Sequence, residues 1–411
     1  MKTVAKPAAL RWTHIDGPRG SVRGDMIQSL KQNRYITYRA LIVFVALASI
    51  PGSAFCWPGI LCLMSRSQSA PASNSHFESA RALYKTGNYR QSLSELEQSE
   101  KASERAALRL LYRAMDYGQL SEWQRVPPLL EAFVLEHPDN EEAWYWLGAG
   151  QFHTHHFVDA GKSIARALTL NPKDADAYRV QGLIDLELGL RNEAYQSWLT
   201  AARLNPSDSE TAYLMGRLFF DSNHFTEASQ WLNQSLAISP HHFRASYFLG
   251  LTEEALGHWV EAIKLYRQCV ADSNNQNTPY PWAYGSLGRL LTRTGELEQA
   301  AIVLEEGSRV APDAHVFTAL GELQFQERKL NQAVISLQRA IALDPTLPDP
   351  HYTLGRVLTA LHRSRQAQVE IETFQRLKSL ADAHPVRSRI SVNRSKSGNS
   401  FPKPREMPQS Q

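Results

Sequence analysis

Cysteine is nearly absent: Cys56, Cys62 and Cys269 are the only three in 411 residues. Two lie close together near the start and the third far off, so neither a disulfide-built scaffold nor a four-ligand zinc site can be assembled from them. Long apolar runs are missing as well. The only strongly apolar stretch has an unbroken part, Ala40 to Ile50, of 11 residues, short of the ~20 that a bilayer span requires. The main body lacks basic charge. The net +3 is made by residues 1–72 at +7 and 384–411 at +5, which leaves 73–383 at −9. Phosphate backbones are held by clustered Lys and Arg, so no nucleic-acid partner is expected. Signatures of catalysis are absent too: there is no nucleophile elbow, HExxH, dinucleotide fingerprint or kinase set. A non-catalytic chain without cofactor or metal is the expectation.

The apolar stretch near the start is "RALIVFVALASIPGSAFCWPGILCLM", Arg39 to Met64. Lys31, Arg34 and Arg39 precede it, and "PGSA" supplies small residues for a cleavage after Ala54. Read from Met26, these are the three parts of an export signal in order, and Met26 is the expected true start. An uncleaved anchor over residues 40–64, touching the membrane, is the alternative. Either reading predicts export to the periplasm or cell envelope, or tethering to the membrane. At the other end, residues 382–411 are polar, basic and rich in Ser and Pro, the composition of a tail that does not fold alone.

Between these ends the sequence repeats. Glycine recurs at Gly148, Gly182, Gly216, Gly250, Gly288, Gly321 and Gly355, and alanine at Ala160, Ala194, Ala228, Ala262, Ala300, Ala333 and Ala367. Both series share a spacing near 34 residues, with four extra residues in the same place, between Ala262 and Gly288. Prolines close most units, at Pro138, Pro172, Pro206, Pro240, Pro312 and Pro345. Each unit carries apolar residues at helical spacing on both sides of a short turn, which predicts two amphipathic helices. Gly148 and Ala160 are small where the two backbones must come close.

This pattern resembles the tetratricopeptide repeat. Trp144, Leu147 and Gly148 stand in the family's places, with Gln151 where the tyrosine belongs, followed by Phe157, Ala160, Ile164, Ala167 and Pro172. Seven well-matched units are expected over 141–381, with a capping helix. Two degenerate ones are expected over 73–140, the second with its later helix interrupted by Pro127 and Pro128. The resemblance implies an all-α solenoid of stacked helix pairs that binds another protein or peptide in its concave groove. On the family's geometry the groove residues are Tyr145, Phe152, Arg179, Tyr213, Arg217, Phe220, Tyr247, Trp282, Arg289, Arg293, Phe325, Tyr352 and Arg356. The Lys–Asn carboxylate clamp of chaperone-tail binders and the asparagine ladder of certain glycosyltransferase arms are both missing. The arginines are the more telling groove residues in this reading, since long charged side chains are seldom fully buried. The aromatics serve either the groove or the packing between units. A scaffold or adaptor in the bacterial cell envelope is the expectation. Its alternatives are an accessory subunit presenting substrate to a separate enzyme of glycosyl transfer or cell-wall processing, and an assembly factor for a pilus or secretion complex.

One stretch looks like chemistry at first sight: "QFHTHHFVDAGKS", Gln151 to Ser163. A phosphate loop needs glycine where His156 stands and a preceding strand where the repeat puts a helix. A metal site lacks completing ligands at a familiar spacing. His153, His155 and His156, like His241 and His242, are expected to be solvated turn histidines.

Overall fold

The computed structural model describes residues 72–99 and 106–383, and all regular structure among them is helical. Eighteen α-helices follow one another: α1 (Ala72–Lys85), α2 (Tyr89–Gln98), α3 (Ala106–Gln119), α4 (Val126–Glu136), α5 (Glu141–His153), α6 (Phe157–Leu170), α7 (Ala175–Glu187), α8 (Arg191–Leu204) and α9 (Ser209–Asp221), then α10 (Phe225–Ile238), α11 (Phe243–Ala255), α12 (Trp259–Asn275), α13 (Pro281–Thr294), α14 (Leu297–Val310), α15 (Ala314–Gln326), α16 (Leu330–Leu343), α17 (Pro348–Ala360) and α18 (Ser364–Ala383). They pack as nine consecutive pairs, each an odd-numbered first helix against the even-numbered second helix that follows. The chain folds as an all-α solenoid. First helices of most neighbouring units touch one another, far more than second helices do, so the first helices line the inner face. The apolar segment 40–64, its basic lead and the tail from 384 onward lie outside the described residues. Among those described, no helix is long and apolar enough to cross a membrane.

Local chemistry sets the helix ends. Asn140, Asp174, Asp208 and Asp313 accept hydrogen bonds from the first free amides of α5, α7, α9 and α15. Pro138, Pro172, Pro206, Pro240, Pro312 and Pro345 each stand one residue past the C-cap of a second helix, where the missing amide and ring clash bar continuation. Every intra-unit turn places one residue in the left-handed region: Gly87, Ser121, His155, Gly189, Asn223, Gly257, Gly295, Arg328 and His362. Three of the four extra residues lengthen α12 to 17 residues against 14 for α10, and the fourth lies in the connection to α13.

Pro127 and Pro128 do not interrupt a helix. They occupy its first positions, α4 beginning at Val126 after a short 3-10 turn over Trp123–Arg125. Proline is tolerated there because those amides have no partner inside the helix. A proline pair marks a break or a beginning according to where the helix starts, and the sequence left that open.

Packing within a unit turns on one contact. Each periodic glycine on a first helix faces a large side chain of the second: Gly148 meets Ile164, Gly182 Trp198, Gly216 Leu232, Gly250 Tyr266, Gly288 Leu304, Gly321 Leu337 and Gly355 Ile371. Around these contacts the apolar core runs as three successive clusters, from Phe77 to Ile184, from Ala194 to Leu323 and from Ala333 to Ala367. Trp146, Trp198, Tyr145, Tyr266 and Tyr284 are its largest enclosed side chains in the middle units.

A β-carbon at position 216 would lie 2.6 Å from Leu232 Cγ and 3.1 Å from the Leu232 backbone nitrogen. Gly216→Leu should therefore wedge α9 from α10 and cost about 1–3 kcal/mol, as overpacked cores do. The check is urea or thermal unfolding; a curve that overlays the wild type would refute this packing.

Candidate functional site

The expected groove residues divide into two groups. On the amino-terminal units they are absorbed by packing. Tyr145 is fully buried, edge-on to Trp146 at 5.6 Å, and Phe152 is buried against Phe157. Arg179 is buried as well: its side chain is only 6% exposed, with Asp176 at 3.0 Å and Asp208 at 3.2 Å. The groove arginine expected here is instead a cross-unit tie, since Asp208 also caps α9. Tyr213 lies between Phe248 and His242. Tyr247 is buried with its hydroxyl 3.5 Å from Ser286, and burial pushes it up to about 12. Half-buried Arg217 rests over the Phe248 ring, which Phe220 also touches.

On the carboxyl-terminal units the same positions open to one space. Arg289, Arg293, Phe325 and Arg356 line a recess of about 510 Å³ formed by α13, α15 and α17, together with Glu322 and Arg328. Arg289 pairs with Glu322 at 3.3 Å and Arg293 with Glu254 of α11 at 2.9 Å. Burial raises the Glu322 carboxyl above its ordinary range although Arg289 pulls it down. The Arg293 guanidinium also lies over Trp259 at 4.9 Å. Arg356 is exposed, its guanidinium 5.1 Å from the centre of Phe325 and 5.6 Å from that of Tyr352. Trp282, at the start of α13, packs instead on His315, ring centroids 3.4 Å apart. Sequence reasoning missed Arg328 and Glu322. Arg328 sits at the intra-unit turn (φ +62°), in the place that Gly189, Gly257 and Gly295 hold elsewhere, and a cation in a glycine position was the available signal.

The histidine turn borders a second cavity, of about 550 Å³. His153 closes α5 and His155 takes the left-handed turn position (φ +66°). His156 is the N-cap of α6. His153 is not solvated as expected: it is half-buried, its ring stacked on Trp123 at 4.1 Å. Nor is His242, whose ring caps α11 through the Ala245 amide and lies 3.0 Å from Glu210. His241 is exposed, 2.8 Å from Asp272. Lys162 and Ser163 are helical, bonded to Asp159 and Gln151, and no phosphate loop forms. Among the described residues no three of His, Cys, Asp and Glu come together in a way that could hold a metal.

Comparison with known proteins agrees with the helix pairs. Residues 194–269 match the family described as "Anaphase-promoting complex, cyclosome, subunit 3", and residues 254–323 and 314–347 match two tetratricopeptide-repeat families. The chain carries tetratricopeptide repeats. Among solved structures it is similar to one titled "Crystal structure of APC/C hetero-tetramer Cut9-Hcn1", with a TM-score of 0.53 and 16% identity over 71% of this chain and 57% of that one. The repeat protein thus spans little more than half the length of that relative. A tetratricopeptide repeat protein from Parabacteroides merdae gives 0.48 and 17% identity, over 62% of this chain and 99% of that one. Pseudomonas aeruginosa pilF gives 0.45 and 16% identity, over 51% and 94%. No curated protein matches the sequence.

Burial lowers His153 to about 4, with the charge of His155 adding to the effect. Since the folded value lies below the unfolded 6.5, the stability it contributes is complete above pH 6.5 and is lost as pH falls through about 4. Urea unfolding should lose on the order of 3 kcal/mol from this group over that window. His153→Phe, which keeps a ring on Trp123, should flatten that part of the decline. An equal decline in the variant would show that other groups carry it.

Proposed function

We propose that these repeats make the chain a protein-interaction scaffold. We propose that this one grips an extended segment of a partner protein along its first-helix face, with the recess of α13, α15 and α17 as the principal contact, and that it does no chemistry of its own. The observation behind this reading is the convergence of Arg289, Arg293, Phe325 and Arg356 on one open space, where the equivalent residues of earlier units are packed on neighbouring rings or carboxylates. Open aromatic and arginine side chains suit a binding surface, because they give large contact area and directional hydrogen bonds. The photo-reactive residue p-benzoylphenylalanine at Gln326, beside the recess, should cross-link one dominant protein in the native cell. The same residue at Lys264, exposed on a second helix, should not. Capture from Lys264 alone would place binding on the outer face and defeat the groove reading.

We further propose that residues 40–64 carry the scaffold into the cell envelope or hold it at a membrane. Support comes from the basic lead, the apolar core and the small residues before Ala54. Cell fractionation with sequencing of the mature amino terminus tests this. A start near position 55, or recovery of the intact chain in the membrane fraction, is expected. An intact chain in the cytoplasmic fraction would refute it.

A further inference from the structure

The recess holds more positive charge than the chain neutralises. Arg289, Arg293, Arg328 and Arg356 line it against one lining carboxylate, Glu322. Glu322 is taken by Arg289, with Arg356 and Asp349 also near enough to bear on it, and Arg293 reaches Glu254 outside the lining. Among the described residues, no carboxylate stands within ion-pair distance of Arg328 or Arg356. Arg356 is nevertheless held in place: Phe325 and Tyr352 support its guanidinium through their ring faces. Rings hold a guanidinium by its face, and its N–H edges are what carboxylates take, two at a time. Arg328 occupies a left-handed backbone position that glycine takes at Gly189, Gly257 and Gly295, so a long cation stands there despite the backbone's preference. A half-buried ring, Phe325, lines the same recess beside Arg356 and supplies its apolar surface.

We infer that this recess takes an acidic segment of the partner protein, one in which Asp or Glu carboxylates reach Arg328 and Arg356 while a neighbouring apolar side chain rests on Phe325. The inference rests on the groove reading and narrows it to a ligand chemistry. Residues 73–383 together are acidic at −9, so within them this cationic recess attracts a negative segment where the surrounding charge repels it.

The test pans the full chain, kept in mild detergent, against short random peptides displayed on phage, then measures the recovered peptides by fluorescence anisotropy. Enriched peptides should pair Asp or Glu with an adjacent apolar residue and should bind more weakly as salt rises. Arg356→Gln should weaken them about tenfold, the worth of one charge-assisted hydrogen bond. Arg328→Gly should do the same while melting no lower than wild type, because glycine suits that backbone. Lys264→Gln on the outer face should change nothing. Peptides without acidic bias that are displaced by Gln326→Trp would overturn the ligand class and leave groove binding intact. Acidic peptides indifferent to both arginine variants would remove the recess as their site. Failure to enrich any peptide would overturn both this inference and the groove reading.

Discussion

The closeness of two helix backbones within each unit is the constraint on which the structure depends. It is set where a first-helix glycine receives a branched or aromatic side chain sixteen residues later, from Gly148 and Ile164 through to Gly355 and Ile371. Any side chain on the first helix would collide there, so the space belongs to the second helix. With that distance fixed, each pair presents an apolar flank to the next pair, and burial is completed only by stacking. The inner face follows as a consequence, because equal wedges laid side by side bring the first helices together along one side.

This is also why so much of the fold was legible in sequence. A requirement for a small residue that recurs in every unit leaves a period, and Ala160, Ala194 and Ala228 repeat it on the second helices. Pairwise relations between units leave none. Tyr145, Tyr213 and Tyr247 stand at inner-face positions, yet a neighbouring unit covers them. The same residue types at the same spacing would read identically if they faced water. Arg179 is buried because the cap of the next first helix, Asp208, lies within its reach, a relation that no local pattern displays. His153 was read as a turn residue and is one, but Trp123 arrives from the preceding unit to stack on it.

Electrostatics change character along the inner face. In the early units the cations are spent inside: Arg179 is held by two carboxylates and Arg217 rests on a ring. From α13 onward the pairs are more open, Arg289 and Arg293 being 39% and 48% exposed. Exposed ion pairs contribute little to stability, since water screens them and two long side chains must be ordered. Stability therefore does not explain why four arginines gather at the recess, whereas the proposed recognition of a negative group would.

The recess also lies over a seam. The long central core cluster ends at Leu323 of α15, and the terminal cluster begins at Ala333 of α16. On the amino-terminal side α13 and α15 meet almost without intervening side chains: a β-carbon at Gly285 would lie 3.3 Å from the His315 backbone, and Trp282 rests on the His315 ring. Arg289, Arg293 and Glu322 are thus carried by one closely joined pair of helices. Arg356 comes from α17, across the seam, and Phe325 reaches over to pack on that terminal cluster. A segment bound by both walls makes contacts that span the two clusters, so part of its binding energy holds the last units in place. In a solenoid, where each unit is stabilised only by its neighbours, the end of the stack is where added contacts change local opening most. The cations at that end therefore stand where the proposed segment would order both the groove and the terminus.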